Sequence, residues 1–124
     1  MPATSSTPTP AYLDTALAIS QIGDQATMRD MLEMLAETLQ RDVTRIAGLL
    51  HDGQTLQANL LLHPLKGFLP IFCGPLLCDG VAAVEQMSKD PRNTAVVQAY
   101  DDLMPALLLL LGEVSEYLNG GLAG

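Results

Sequence analysis

The chain has 124 residues, a length that suits one domain with one core. Its formal charge is −8 with only six Lys plus Arg, and it has no cluster of cations of the kind that holds a phosphate backbone, which argues against nucleic acid and an anionic membrane surface as partners. Apolar residues make up 48% but aromatics only 4%, with no tryptophan; Leu, Ala and Met dominate and lose little rotamer freedom in helices, so composition points to an all-α fold.

Residues 1–10, MPATSSTPTP, are rich in Pro, Ser and Thr without apolar periodicity and read as a disordered tail. They lack the basic start and apolar core of a secretory signal. No stretch reaches the ~18 uninterrupted apolar residues of a bilayer span; the longest, ALLLLL at 106–111, is short and follows Pro105. The expected location is the cytoplasm.

A short helix is predicted from Tyr12 to Ser20, broken at Gly23, with Asp24 able to cap the next helix by accepting from its free N–H groups. Met28, Leu32, Leu35, Leu39, Val43, Ile46 and Leu50 then recur at steps of three and four, the pattern of a long amphipathic helix with one apolar seam. His51, Asp52 and Gly53 end it, the histidine suiting the negative end of the helix dipole. A third helix is expected from about Gln54 to Leu69, with Ala58, Leu61, Leu62, Leu65, Leu69 and Phe72 turned to the core. Gly74 and Pro75 mark a break, and a fourth helix covers about Leu76 to Ser88.

After a turn at Lys89, Asp90 and Pro91, the last helix runs from about Arg92 to Leu118. Its inner side carries Val96, Tyr100, Leu103, Leu107, Leu111, Val114 and Leu118, and Pro105 is expected to bend it or interrupt its hydrogen bonding. Asp101, Asp102, Glu113 and Glu116 read as a solvated face, and the methionines as core filler. Four longer helices joined by short turns suggest an antiparallel up-down-up-down four-helix bundle with a short additional N-terminal helix, over 11–119, followed by a flexible tail at 120–124. With no second long apolar face, a monomer is expected.

The two cysteines, Cys73 and Cys78, read as small buried apolar residues kept reduced; neither His51 nor His63 completes a zinc pattern with them. The third helix poses the sharper question, because LLHPLKGFLPIF interrupts an oily run with His63, Lys66 and Gly67. Opposite the core side fall Leu56, Asn59, His63, Lys66, Gly67 and Pro70, so Lys66 at i+3 and Gly67 at i+4 are surface neighbours of the histidine. Neutral imidazole is nucleophilic near pH 7. A cation one turn away can offset negative charge arriving on it. A mid-helix glycine, costing roughly 1 kcal/mol against alanine, is explained if it clears space beside the ring. No Asp or Glu stands at i±3 or i±4 from His63, so no local base is visible on that helix.

HPLKG resembles the HxLKG motif of histidine-containing phosphotransfer (HPt) domains, the four-helix bundles that relay phosphoryl groups in multistep two-component signalling. The resemblance extends to ALAISQIGDQATMRDMLEML, which looks like that family's entry into its second helix, and to FLPIFCGPLLCDGVAAVEQ, which occupies the place of its post-motif turn and fourth helix; it covers roughly residues 12–118. It implies that His63 accepts a phosphoryl group on its outer ring nitrogen from a receiver aspartate and passes it to another, that Lys66 stabilises its charge, and that Gly67 leaves the ring accessible. It implies response-regulator receiver domains as partners, and a hybrid sensor histidine kinase as a further one. The receiver would supply the magnesium and most catalytic groups, so the chain would hold no cofactor or metal and act as a carrier, not an enzyme.

Exposed Leu56 and Leu60, with Asn59, Pro70 and Phe68, are the predicted docking surface. Pro64 and Pro70 depart from the family pattern and are expected to bend the third helix. An adaptor that binds a receiver or kinase without carrying phosphate therefore stays open, while a hydrolase pairing Cys73 or Cys78 with His63 lacks a visible orienting acid or oxyanion site.

Overall fold

A computed structural model describes residues 10–120. Five α-helices follow in chain order: α1 (Thr15–Ile22), α2 (Gln25–His51), α3 (Thr55–Phe68), α4 (Pro75–Met87) and α5 (Ala95–Leu118). A 3-10 turn, Leu69–Ile71, follows α3, and among the described residues there is no strand, only an isolated bridge between Leu13 and Cys73. The tails expected at the two ends lie, apart from Pro10 and Gly120, outside the described residues.

Local chemistry sets the boundaries. Asp14 caps α1 by accepting from Leu17 N (2.9 Å), and Gly23, at φ 85°, closes it in the left-handed conformation that glycine adopts without strain. Asp24 caps α2 through the Thr27 N–H at 2.8 Å and the Thr27 hydroxyl at 2.6 Å, bonds that hold its carboxyl below the usual range. The seven apolar seam residues of α2 are all buried, as their spacing predicts. Helix α2 packs against α1, α3 and α5, and α4 against α3 and α5, so the core lies among the four longer helices.

The helix α5 keeps Pro105 inside it with one hydrogen bond interrupted, and departs from the sequence reading in which leucines it buries. Pro105 sits inside an unbroken helix; its missing N–H frees only the carbonyl of Asp101, which water can reach at the half-exposed rim. Leu110 is fully buried, while Leu103, Leu111 and Leu118 are only partly covered. Counted as a helical window and not as an uninterrupted run, α5 is also long and apolar enough to cross a bilayer by length and composition. In this fold Val96, Tyr100, Leu107, Leu110 and Val114 are buried, and the Tyr100 hydroxyl donates to Val43 O (2.6 Å) across to α2.

Glu113 is not part of a solvated face. It is buried, and its carboxylate accepts the backbone N–H groups of Ala11, Tyr12 and Leu13. Asp14 N then donates to Phe72 O (2.8 Å), next to the Leu13–Cys73 bridge. Residues 11–14 are thereby tied to α5 and to the turn after α3, and α1 starts after its cap Asp14, at Thr15 and not at Tyr12. Replacing Glu113 with Ala should lower stability in urea unfolding by ~1–3 kcal/mol, the cost of leaving buried donors unmatched. Amide exchange should rise at Tyr12 and Leu13 while the α2 seam stays protected; unchanged exchange there would show that the carboxylate is not the anchor.

Candidate functional site

The third helix brings its polar residues to the seam with α4. His63 is exposed, 69% by side chain, and its Nδ1 lies 3.2 Å from Oε2 of Glu85, whose own side chain has no exposed surface. Lys66 Nζ lies 3.2 Å from the other oxygen, Oε1, and Lys89 Nζ lies 3.8 Å from the same atom. Asn59 Nδ2 donates to Glu85 Oε2 (3.2 Å), to Glu85 O (3.1 Å) and to Ser88 Oγ (2.9 Å), and the Ser88 hydroxyl donates back to Glu85 O (2.7 Å). Burial alone would raise the Glu85 carboxyl, but hydrogen bonds from His63, Asn59 and Lys66, with the Lys66 charge, outweigh it and hold the group below its usual value.

An ionised Glu85 can only accept, so at this contact Nδ1 carries the hydrogen, and in the neutral ring Nε2 keeps the lone pair. Among the described residues Nε2 has no hydrogen-bond partner. The arrangement therefore presents one nucleophilic nitrogen outward, on a ring whose tilt and tautomer are set from behind by a buried carboxylate.

Sequence reasoning missed Glu85 as a site residue. Helix α3 indeed offers no carboxylate one turn from His63, but α4 supplies one across the seam. The available signal was its place in α4, eleven residues after Gly74, on the same side as buried Leu77, Val81 and Val84.

The other predicted site residues divide by environment. Leu56 and Leu60 are exposed beside His63, Leu60 at 65%. Asn59 is half-buried with its amide committed to Glu85 and Ser88, so it braces the site from inside. Phe68 is half-buried, edge-on to Phe72 with ring centroids 5.1 Å apart. Pro70 is exposed in the 3-10 turn, where its missing N–H ends the α3 ladder. Pro64, by contrast, leaves α3 unbroken; the carbonyl it cannot serve is that of Leu60, on the solvent side.

Met34 was expected in the core, yet it is 58% exposed. With Thr38, Pro64, Leu65 and Phe68 it lines an apolar groove of about 250 Å³ between α2 and α3. His51 stands in the last turn of α2, as expected, and also meets Asp101 of α5 at 2.9 Å. Burial pushes the Cys73 thiol up to about 12 and raises Cys78 as well, so both stay protonated and unreactive at neutral pH. No group of three or more His, Cys, Asp or Glu able to hold a metal occurs among the described residues.

A Cβ built on Gly67 meets nothing within 4 Å, so no internal contact calls for glycine there. Gly67→Ala should raise stability by roughly 0.5–1 kcal/mol in denaturant unfolding, because alanine is the better helix former. A loss of stability would mean that the glycine serves the fold. Acid should act through Glu85: a carboxyl held below its unfolded value stabilises the fold above the ordinary glutamate range, and that contribution is lost as pH falls through the folded value. Wild type should therefore lose stability between neutral and acid pH more steeply than Glu85→Gln, and parallel curves would remove Glu85 as the cause. In comparisons with known proteins, no family model, no curated protein and no solved structure matches this chain.

Proposed function

We propose that this chain is a histidine phosphocarrier, which takes a phosphoryl group from the aspartyl phosphate of one response-regulator receiver domain and hands it to another. The observation that carries the reading is the pairing of exposed His63, through Nδ1, with buried Glu85, while Lys66 rests on the same carboxylate. In the transfer the bond from phosphorus to the aspartyl oxygen breaks as the bond to Nε2 forms. The aspartate leaves as a carboxylate, and the Nδ1 proton stays where it is. The ring gains a positive charge, which Glu85 meets directly, and Lys66 lies within a helical turn of the incoming oxygens. No proton has to be removed from the nucleophile, so a site without a general base suffices.

The same reading takes α2 to α5 as an antiparallel up-down-up-down bundle with α1 as a short extra helix. Support comes from the packing of α2 with α3, α3 with α4, α4 with α5 and α5 with α2, and from the short connections at 52–54, 69–74 and 88–94. The receiver docks over Leu56, Leu60, Phe68 and Pro70, with Met34 extending that apolar surface, and any magnesium is the receiver's. The chain acts in the cytoplasm as a monomeric carrier, with a hybrid sensor histidine kinase as a further partner.

Labelled phosphate from a panel of phosphorylated receiver domains should pass to the wild type and not to His63→Gln, giving acid-labile, alkali-stable label. A receiver that binds with measurable affinity yet transfers nothing would replace the carrier with a phosphate-free adaptor.

A further inference from the structure

The chain contains two lysines, and both end on one oxygen of one buried carboxylate: Lys66 Nζ at 3.2 Å and Lys89 Nζ at 3.8 Å from Glu85 Oε1. Two cations on one oxygen exceed what a single ion pair needs. In a chain of net charge −8 this local excess calls for a reason. The carrier reading, on which the inference rests, supplies one. Nε2 lies on the far edge of the imidazole from Nδ1, so an ammonium drawn to a phosphoryl group on Nε2 moves away from the carboxylate held at Nδ1. A buried carboxylate that loses its cation is strongly penalised and tends to take up a proton. A protonated Glu85 would no longer be the anionic acceptor that matches the charged phosphorylated ring.

Lys89 stands four residues beyond Glu85, exposed in the turn after α4, and approaches the oxygen that Lys66 would leave. We infer that Lys89 is a positioning residue, a reserve counterion that keeps Glu85 ionised against His63 Nδ1 while Lys66 is turned to the phosphoryl group. It touches neither the ring nor the phosphoryl group. Its effect is therefore expected only once the site is occupied.

The test uses phosphoramidate, a small donor whose P–N bond breaks with release of ammonia as the P–Nε2 bond forms, so no partner docking enters. Wild type, Lys89→Gln, Lys89→Arg and His63→Gln are compared for rate of phosphate uptake and, by ¹⁵N NMR of labelled histidine, for the hydrogen on Nδ1 before and after phosphorylation. Lys89→Gln should match wild type before phosphorylation, take up phosphate ~3- to 5-fold more slowly, the size of a partly exposed charge pair, and show a weakened Nδ1–H signal afterwards. Lys89→Arg should restore both. If Lys89→Gln equals wild type in rate and in the phosphorylated spectrum, or differs from it already in the unphosphorylated one, the reserve-counterion role is overturned. Wild type taking up no more phosphate than His63→Gln would instead overturn the carrier reading itself, and this inference with it.

Discussion

A carboxylate with no exposed surface is tolerated only when its oxygens are matched, and Glu85 is matched by groups from two helices at once. From α3 come the Nδ1 of His63, the amide of Asn59 and the ammonium of Lys66, and from the turn after α4 comes Lys89. Because the three groups of α3 meet this carboxylate across the seam, α3 and α4 are fixed in register by polar geometry as well as by apolar packing. The benefit to stability is modest, since burying charge offsets most of what pairing returns. What the network does supply is a single orientation of the imidazole, and that orientation decides which ring nitrogen faces out.

Glu113 repeats the device at another place in the fold. There the matched groups are backbone N–H donors of residues 11–13, a segment outside any helix, whose amides therefore need partners from elsewhere. Both glutamates lie on otherwise apolar inner helix faces, beside Val84 in one case and Val114 in the other. Among the described residues no buried side-chain nitrogen or oxygen is left unmatched, so these polar insertions are complete networks and do not loosen the core.

This explains what could be read from the sequence and what could not. The seam of α2 was legible to the residue, because a single apolar period over many turns has one solution, and all seven positions from Met28 to Leu50 are buried. The trio His63, Lys66 and Gly67 was legible because their relation is confined to one helix. Glu85 and Glu113 were not, because a glutamate inside a helix reads as solvated unless the partner helix is in view. The contacts of Asn59 were hidden for the same reason: its amide reaches Glu85 and Ser88 across the seam. Pro64 and Pro105 each remove one N–H from the ladder, as expected, yet both helices continue through them, and the residues whose carbonyls go unserved, Leu60 and Asp101, are exposed or half-exposed.

Gly67 links the site to its surroundings. A mid-helix glycine with open space where a side chain would stand weakens α3 without improving any contact within the chain. Leu60 and Met34 likewise keep apolar surface in water that the chain does not use to pack itself. Each of these features is unfavourable or idle in the isolated molecule; Gly67 and Leu60 lie within a helical turn of the one imidazole whose Nε2 has no partner among the described residues, and Met34 shares a groove with Pro64 beside it. Features that serve neither helix propensity nor core packing, gathered about a preoriented nucleophile, make sense if the missing contacts come from outside. A surface that must be joined and left repeatedly cannot be large or wholly apolar. A few exposed side chains and a cleared approach to one nitrogen meet that requirement, which is why the reading of this chain as a carrier rests on its surface as much as on its histidine.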